Sequence, residues 1–151
     1  MADRVQFELV SPERLILSEM VEMVVVPGVE GNFGVLPGHA PLISLIRPGM
    51  IEVYEGRTVT QRIFVVGGLA EVTPERCTVL ADEALPPDAL DRAGIEAELA
   101  EVEGNLASLR DRIGQAAVGD RDRLVLELRQ LERAQAVAGA KLQALGEATA
   151  H

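Results

Sequence analysis

The sequence predicts an α+β chain with its two kinds of element segregated: an N-terminal antiparallel β-sandwich followed by a C-terminal antiparallel two-helix hairpin. Three observations predict this. Up to Pro86-Pro87, apolar residues alternate with polar ones or come in short bursts between Gly and Pro turns. Beyond that point they recur at helical spacing in a proline-free stretch rich in Ala, Leu, Glu and Arg. A length of 151 residues suits a small domain with an appendage. The expected domains are residues 1–86 and residues 87–151.

Val5, Phe7 and Leu9 alternate with Arg4, Gln6 and Glu8, the period of a strand with one wet face. Ser11-Pro12-Glu13 breaks this run and Leu15-Ile16-Leu17 resumes it. A longer burst over 20–26 ends at Pro27-Gly28. Further strands are expected over 42–46, 50–54, 58–66, 69–72 and 77–81. Pro48-Gly49, Glu55-Gly56, Gly67-Gly68 and Thr73-Pro74 separate them as turns. Short strands with close turns and no intervening helix indicate an antiparallel sandwich or barrel.

In the second half, Ile95, Leu99, Val102, Leu106, Leu109 and Ile113 form one narrow helical stripe. Leu124, Leu128, Leu131, Gln135, Ala138, Leu142 and Leu145 form another. Asp88 is expected to cap the first helix, with Asp91 imitating a capping box. Gly114 and Gly119 are expected to bracket the connection, with Asp120 or Asp122 capping the second helix. So short a link makes the helices antiparallel, and the two glycines argue against one long dimeric coiled coil.

The hairpin is expected to be marginal. Burying a Leu or Ile contributes about 1.5–3 kcal/mol, whereas ordering each residue costs roughly 1–2 kcal/mol of backbone entropy. Gln135 and Ala138 dilute the second stripe. Residues 88–113 carry seven acids and three arginines, while from residue 120 onward five acids balance five basic residues. The arginines of the second helix are therefore candidates to exchange partners for an acidic surface elsewhere.

Composition narrows the function. A net charge of −10 and only 3% aromatics argue against nucleic acid, which is bound by clustered Lys and Arg with stacking rings. No stretch approaches the ~20 apolar residues of a membrane span, so direct membrane insertion is not expected. The N-terminus lacks a signal-peptide run, and a soluble protein in a reducing compartment is expected. Cys77 alone makes no intrachain disulfide, and its strand setting suggests a buried, inert thiol. His39 and His151 have no histidine or cysteine partners at ligand spacing, so no metal is expected. No nucleophile elbow, phosphate loop or dinucleotide fingerprint occurs, and no catalytic residue is assigned.

The densest local signal is Pro27-Gly28-Val29-Glu30-Gly31-Asn32-Phe33-Gly34-Val35-Leu36-Pro37-Gly38-His39-Ala40-Pro41. Glycine supplies positive φ and proline fixes φ, so this stretch is expected to be a rigid pair of loops. Glu30 and Asn32 flank Gly31 as an exposed contact point.

That stretch, with Ser11-Pro12-Glu13-Arg14 before it, resembles the epsilon subunit of rotary F-type ATP synthases (called delta in mitochondria). Pro48-Gly49, Gly67-Gly68-Leu69-Ala70-Glu71-Val72 and Thr78-Val79-Leu80-Ala81-Asp82 follow in the family's order, and the resemblance spans nearly the whole chain. It implies a non-catalytic central-stalk subunit that joins the gamma subunit to the membrane ring of c subunits. Such a subunit sits peripherally on the cytoplasmic face of the inner (plasma) membrane.

The resemblance further implies that Glu30, Gly31 and Asn32 face the ring, and that Pro37, Gly38, His39 and Pro41 form a loop facing gamma and the ring. Family members often carry an acid where Asn32 stands. The family's hairpin can extend towards the alpha and beta subunits and inhibit ATP hydrolysis, and by position Arg121, Arg123, Arg129 and Arg133 are the basic residues implied. Some members bind ATP through an Ile/Leu-Asp-x-x-Arg-Ala pattern. Here Leu90-Asp91-Arg92-Ala93 lacks the two spacers and is followed by Glu96, Glu98, Glu101 and Glu103. Those acids would repel phosphates, so no cofactor is expected and ATP is left outside the expected sites. A module closing over ATP and an unrelated β-sandwich adaptor are the competing readings.

Overall fold

A computed structural model of the chain describes residues 4–150, with side chains described to residue 146. His151 lies outside the described residues. The chain splits into two compact units between Ala89 and Leu90.

In the first unit the strands are β1 (Val5–Ser11), β2 (Arg14–Val21), β3 (Met23–Gly28), β4 (Gly31–Val35) and β5 (Leu42–Ile46). They continue as β6 (Gly49–Glu55), β7 (Thr58–Val65), β8 (Gly68–Val72), β9 (Arg76–Ala81) and the short β10 (Ala84–Leu85). A 3-10 turn at Pro87–Ala89 ends the unit. Pairing runs β10-β7-β6-β3-β5-β8-β9-β1-β2, with β4 added to β3. β3 and β5 share only the pair Gly28↔Ile46, the narrowest link in this strand order. At the far edge, Arg4 of the segment entering β1 meets Glu55 of β6 at 2.8 Å, and Gln61 of β7 donates to Glu19 of β2.

The inner faces interlock as the alternation predicts. Val5, Phe7 and Leu9 meet Val24, Val26, Ile51, Val53, Val72, Cys77 and Val79 in one core, all at most 1% exposed. No buried polar or charged residue is found among the described residues, so the core is held by apolar burial.

Four details differ from the sequence reading. The 20–26 burst is two strands, because Glu22 interrupts it and its carboxylate accepts the Gly56 N–H at 2.6 Å. The 27–41 stretch is not loops alone: Gly31–Val35 forms β4, paired with β3 from Val24↔Val35 to Gly28↔Gly31. The sandwich is not wholly antiparallel, since β1 lies parallel to β9. The short β10 pairs with β7 at Ala84↔Val65 and carries no periodic signal of its own.

The second unit contains α1 (Arg92–Gln115) and α2 (Val118–Ala150), antiparallel neighbours joined by residues 116–117. Ile95, Val102, Leu106 and Leu109 of the first stripe are buried, as are Leu124 and Ala138 of the second. The caps differ from expectation. Asp91, not Asp88, has the extended backbone of an N-cap, and its carboxylate accepts the Gly94 N–H at 3.2 Å. Asp88 lies in the 3-10 turn. Gly114 and Gly119 lie inside the helices, and α2 begins before Asp120 and Asp122. A glycine near a helix end costs only about 1 kcal/mol, which Ile113 and Leu124 packing offsets.

Candidate functional site

The β3–β4 hairpin turns through Val29-Glu30, between the paired glycines Gly28 and Gly31. Gly28 is required by close approach: a Cβ there would meet the Gly31 carbonyl oxygen at 2.8 Å and the Phe33 ring at 3.0 Å. Gly31 has φ +137°, a conformation L side chains rarely adopt. Val29, Glu30, Gly31 and Asn32 are all exposed, so the contact point expected at Glu30, Gly31 and Asn32 is the tip of a rigid hairpin.

The end of β5 braces this tip. Val29 N–H donates to Leu45 O at 3.0 Å and Arg47 N–H donates to Pro27 O at 2.9 Å. The Arg47 guanidinium then donates through Nη1 to Gly28 O at 2.7 Å and through Nη2 to Asn32 Oδ1 at 2.6 Å. Sequence reasoning missed Arg47. Its only signal is an arginine between Ile46 and Pro48-Gly49, which does not reveal what it reaches.

Pro37, Gly38, His39 and Pro41 lie in the loop between β4 and β5. His39 N–H closes a turn onto Leu36 O at 3.1 Å, Gly38 takes φ +83°, and its N–H donates to Pro74 O at 2.7 Å. The His39 ring nitrogen Nδ1 lies 2.7 Å from Ala40 O, which satisfies that nitrogen locally. Pro37 and His39 are half-buried, so this loop is a fixed corner with Gly38 and Pro41 at its surface.

Strand register assembles a feature that no segment carries alone. Leu45 pairs with Leu69, Leu69 with Leu80, Leu80 with Val10, and Val10 with Leu15. Directly paired residues share a face, so these five residues form one apolar row across β5, β8, β9, β1 and β2. Leu45 is 61% exposed, Leu80 45% and Leu15 57%. The next outward row is Ile43, Glu71, Thr78, Glu8 and Ser18, mostly polar. A polar groove of about 500 Å³ continues it, lined by Gln6, Glu71, Thr73, Glu75, Arg76 and Thr78. Scattered exposed leucines need no explanation, but an aligned row rimmed by polar residues marks a contact surface.

On α2, Arg121, Arg123, Arg129 and Arg133 are all exposed. Arg129 and Arg133 stand one turn apart on one stripe, and at about 100° per residue Arg121 falls roughly 80° to one side of Arg129 while Arg123 falls roughly 80° to the other side of Arg133. The four are therefore not one patch. No group of His, Cys, Asp or Glu among the described residues is arranged to hold a metal ion. Burial pushes the Cys77 thiol up to about 12, which keeps it protonated and unreactive. Among the described residues the arrangement offers surfaces for docking and no focused pair of groups for chemistry.

Known proteins resemble this chain in sequence and fold. The family described as "ATP synthase, Delta/Epsilon chain, beta-sandwich domain" matches residues 4–87. The ATP synthase epsilon chain of Rhodospirillum centenum is 53% identical over 131 residues, covering 85% of this chain and 86% of that one. That of Rhodospirillum rubrum is 60% identical over 99 residues, covering 66% and 74%. In fold, the chain is similar to one in a cryo-EM structure of the Euglena gracilis mitochondrial ATP synthase, with TM-score 0.66 and 23% identity, over 100% of this chain and 84% of that one.

Proposed function

This chain belongs to the delta/epsilon-chain family of ATP synthases, whose epsilon chain is a non-catalytic subunit, and from that premise we propose that it couples gamma to the membrane ring of c subunits in the central stalk. The observation that carries this reading is the apolar row Leu45–Leu69–Leu80–Val10–Leu15. The exposed leucines of this row, Leu45, Leu80 and Leu15, are stabilised by a partner that covers them, by on the order of 1 kcal/mol for each half-exposed side chain. Gamma is the partner assigned to this face. The hairpin tip at Glu30, Gly31 and Asn32 is assigned to the ring, and the Pro37-Gly38-His39 corner with Pro41 stands between the two contacts.

No helix of the described residues is long and apolar enough to cross a membrane, which fits a subunit held peripherally by its partners. The cytoplasmic face of the membrane follows from the assigned place in the complex. The helical hairpin is assigned a regulatory role: when extended towards the alpha and beta subunits, it would restrain ATP hydrolysis through the exposed Arg129 and Arg133 first, with Arg121 and Arg123 contributing less. Nucleotide has no part in this reading. Asp91 is occupied in capping α1, and the exposed Glu96, Glu98, Glu101 and Glu103 that follow disfavour phosphate.

The coupling role is tested with the double variant Leu45→Glu, Leu80→Glu in the full chain. Both side chains point outward, so the melting temperature should stay close to that of the unaltered chain. Association with purified gamma should be lost, because two carboxylates would be buried against an apolar partner. Unchanged gamma binding would refute the assignment of this face. Deleting residues 88–151 tests the regulatory role: ATP synthesis should persist and hydrolysis should rise, and unchanged hydrolysis would remove the inhibitory assignment.

A further inference from the structure

Arg47 is an exposed arginine that neither the apolar row nor any recognised motif uses. Ion pairs form at Arg4, Arg62 and Arg76, and none of these involves Arg47. Instead, its guanidinium spans the hairpin tip. Nη1 reaches the Gly28 carbonyl oxygen at 2.7 Å on one side of the turn, and Nη2 reaches Asn32 Oδ1 at 2.6 Å on the other. A planar guanidinium presents its N–H groups in a fixed fork, so bonding both acceptors fixes the separation between the two ends of the turn.

We infer that Arg47 is the positioning residue of the ring-facing tip, holding residues 29–32 in their docking shape through the Gly28–Arg47–Asn32 clasp. This rests on the reading that the tip meets the ring. Both acceptors are neutral oxygens, so Arg47 keeps its charge and stands opposite the exposed Glu30 in sign. With Asn at position 32 the tip carries one charge of each kind. An acid there would make it net negative. The tip is therefore suited to dock by held shape, with its backbone already ordered, rather than by a net field. Preorganisation of this kind removes an ordering cost from binding. Lysine cannot reproduce it, since a single ammonium lacks the fork.

The test uses the full chain with Arg47→Ala, Arg47→Lys and Asn32→Asp, each compared with the unaltered protein. Hydrogen exchange of residues 29–34 in the free chain reads the clasp directly. Arg47→Ala should accelerate it about ten-fold, the equivalent of ~1.4 kcal/mol, with core strands unchanged. In complex with gamma, Arg47→Ala should bind the isolated c ring about ten-fold more weakly. Arg47→Lys should recover part of this. Asn32→Asp should keep tip protection in the free chain, because its carboxylate still accepts from Nη2, and a loss of that protection would overturn the clasp.

Unchanged tip exchange in Arg47→Ala overturns the inference whatever the ring does. So does a loss of gamma binding or of core protection in that variant, which would make Arg47 a general fold residue. Failure of the unaltered gamma complex to bind the ring refutes the ring assignment instead, and is read before any variant is compared.

Discussion

Replacing Gly104 and Gly139 with alanine should stabilise the helical hairpin by an amount that the structure allows to be worked out. Gly104 lies inside α1 and Gly139 inside α2, and both are exposed. A methyl group at either would meet nothing within 4 Å, and neither residue has positive φ. The usual structural reasons for glycine, close approach and a left-handed backbone, are therefore absent. What remains is the intrinsic penalty of glycine in a helix, about 0.8–1.0 kcal/mol relative to alanine. The residues sit on different helices, so the two gains should sum to about 2 kcal/mol. If the hairpin opens as a unit, its amides should exchange about 30-fold more slowly in the double variant, at ~1.4 kcal/mol per tenfold. Hydrogen exchange of the full chain without gamma measures this, with the strands as an internal control. Unchanged exchange in α1 and α2, or equal slowing in the β-sandwich, would refute the reasoning.

Three further outcomes follow from single positions. Gly68→Ala should destabilise the sandwich by more than about 3 kcal/mol, or prevent folding. Gly68 has φ +133° and a Cβ there would lie 2.0 Å from Leu80 O, and thermal melting would show the loss. Asp91→Ala should remove the α1 cap at a cost of about 1 kcal/mol, read as faster exchange confined to the first turn of α1. Cys77 is raised from 9.0 to about 12 by burial, so the folded state holds its proton more tightly than the unfolded state. Its contribution is fully present below pH 9.0 and lost as pH rises towards 12. Denaturation curves should therefore lose about 1.4 kcal/mol per pH unit in that window, and Cys77→Ala should lack this component. Thiol reagents at pH 8 should label Cys77 only as fast as the sandwich unfolds.

The sequence by itself determined what depends on local period. Alternation at Val5, Phe7 and Leu9 identified an inward-facing strand, and the spacing from Ile95 to Ile113 identified a helical stripe, because each pattern lies within one element. The 27–41 segment was legible as special from its glycines and prolines, although β4 inside it was hidden. Gly-rich text reads as turn, and only pairing with β3 makes Gly31–Val35 a strand. Helix ends were less legible, since Asp88 and Asp91 are chemically alike and backbone geometry alone selects the cap.

Tertiary structure decided everything that joins distant segments. Val10, Leu15, Leu45, Leu69 and Leu80 are ordinary strand residues in the text, and they become one apolar row only through strand register. Arg47 is an ordinary surface arginine until folding sets it against Gly28 and Asn32, 19 and 15 residues earlier. The physical reason is the same in both cases. Hydrophobic period is a property of one stretch of backbone, whereas a contact surface is a property of which backbones lie side by side.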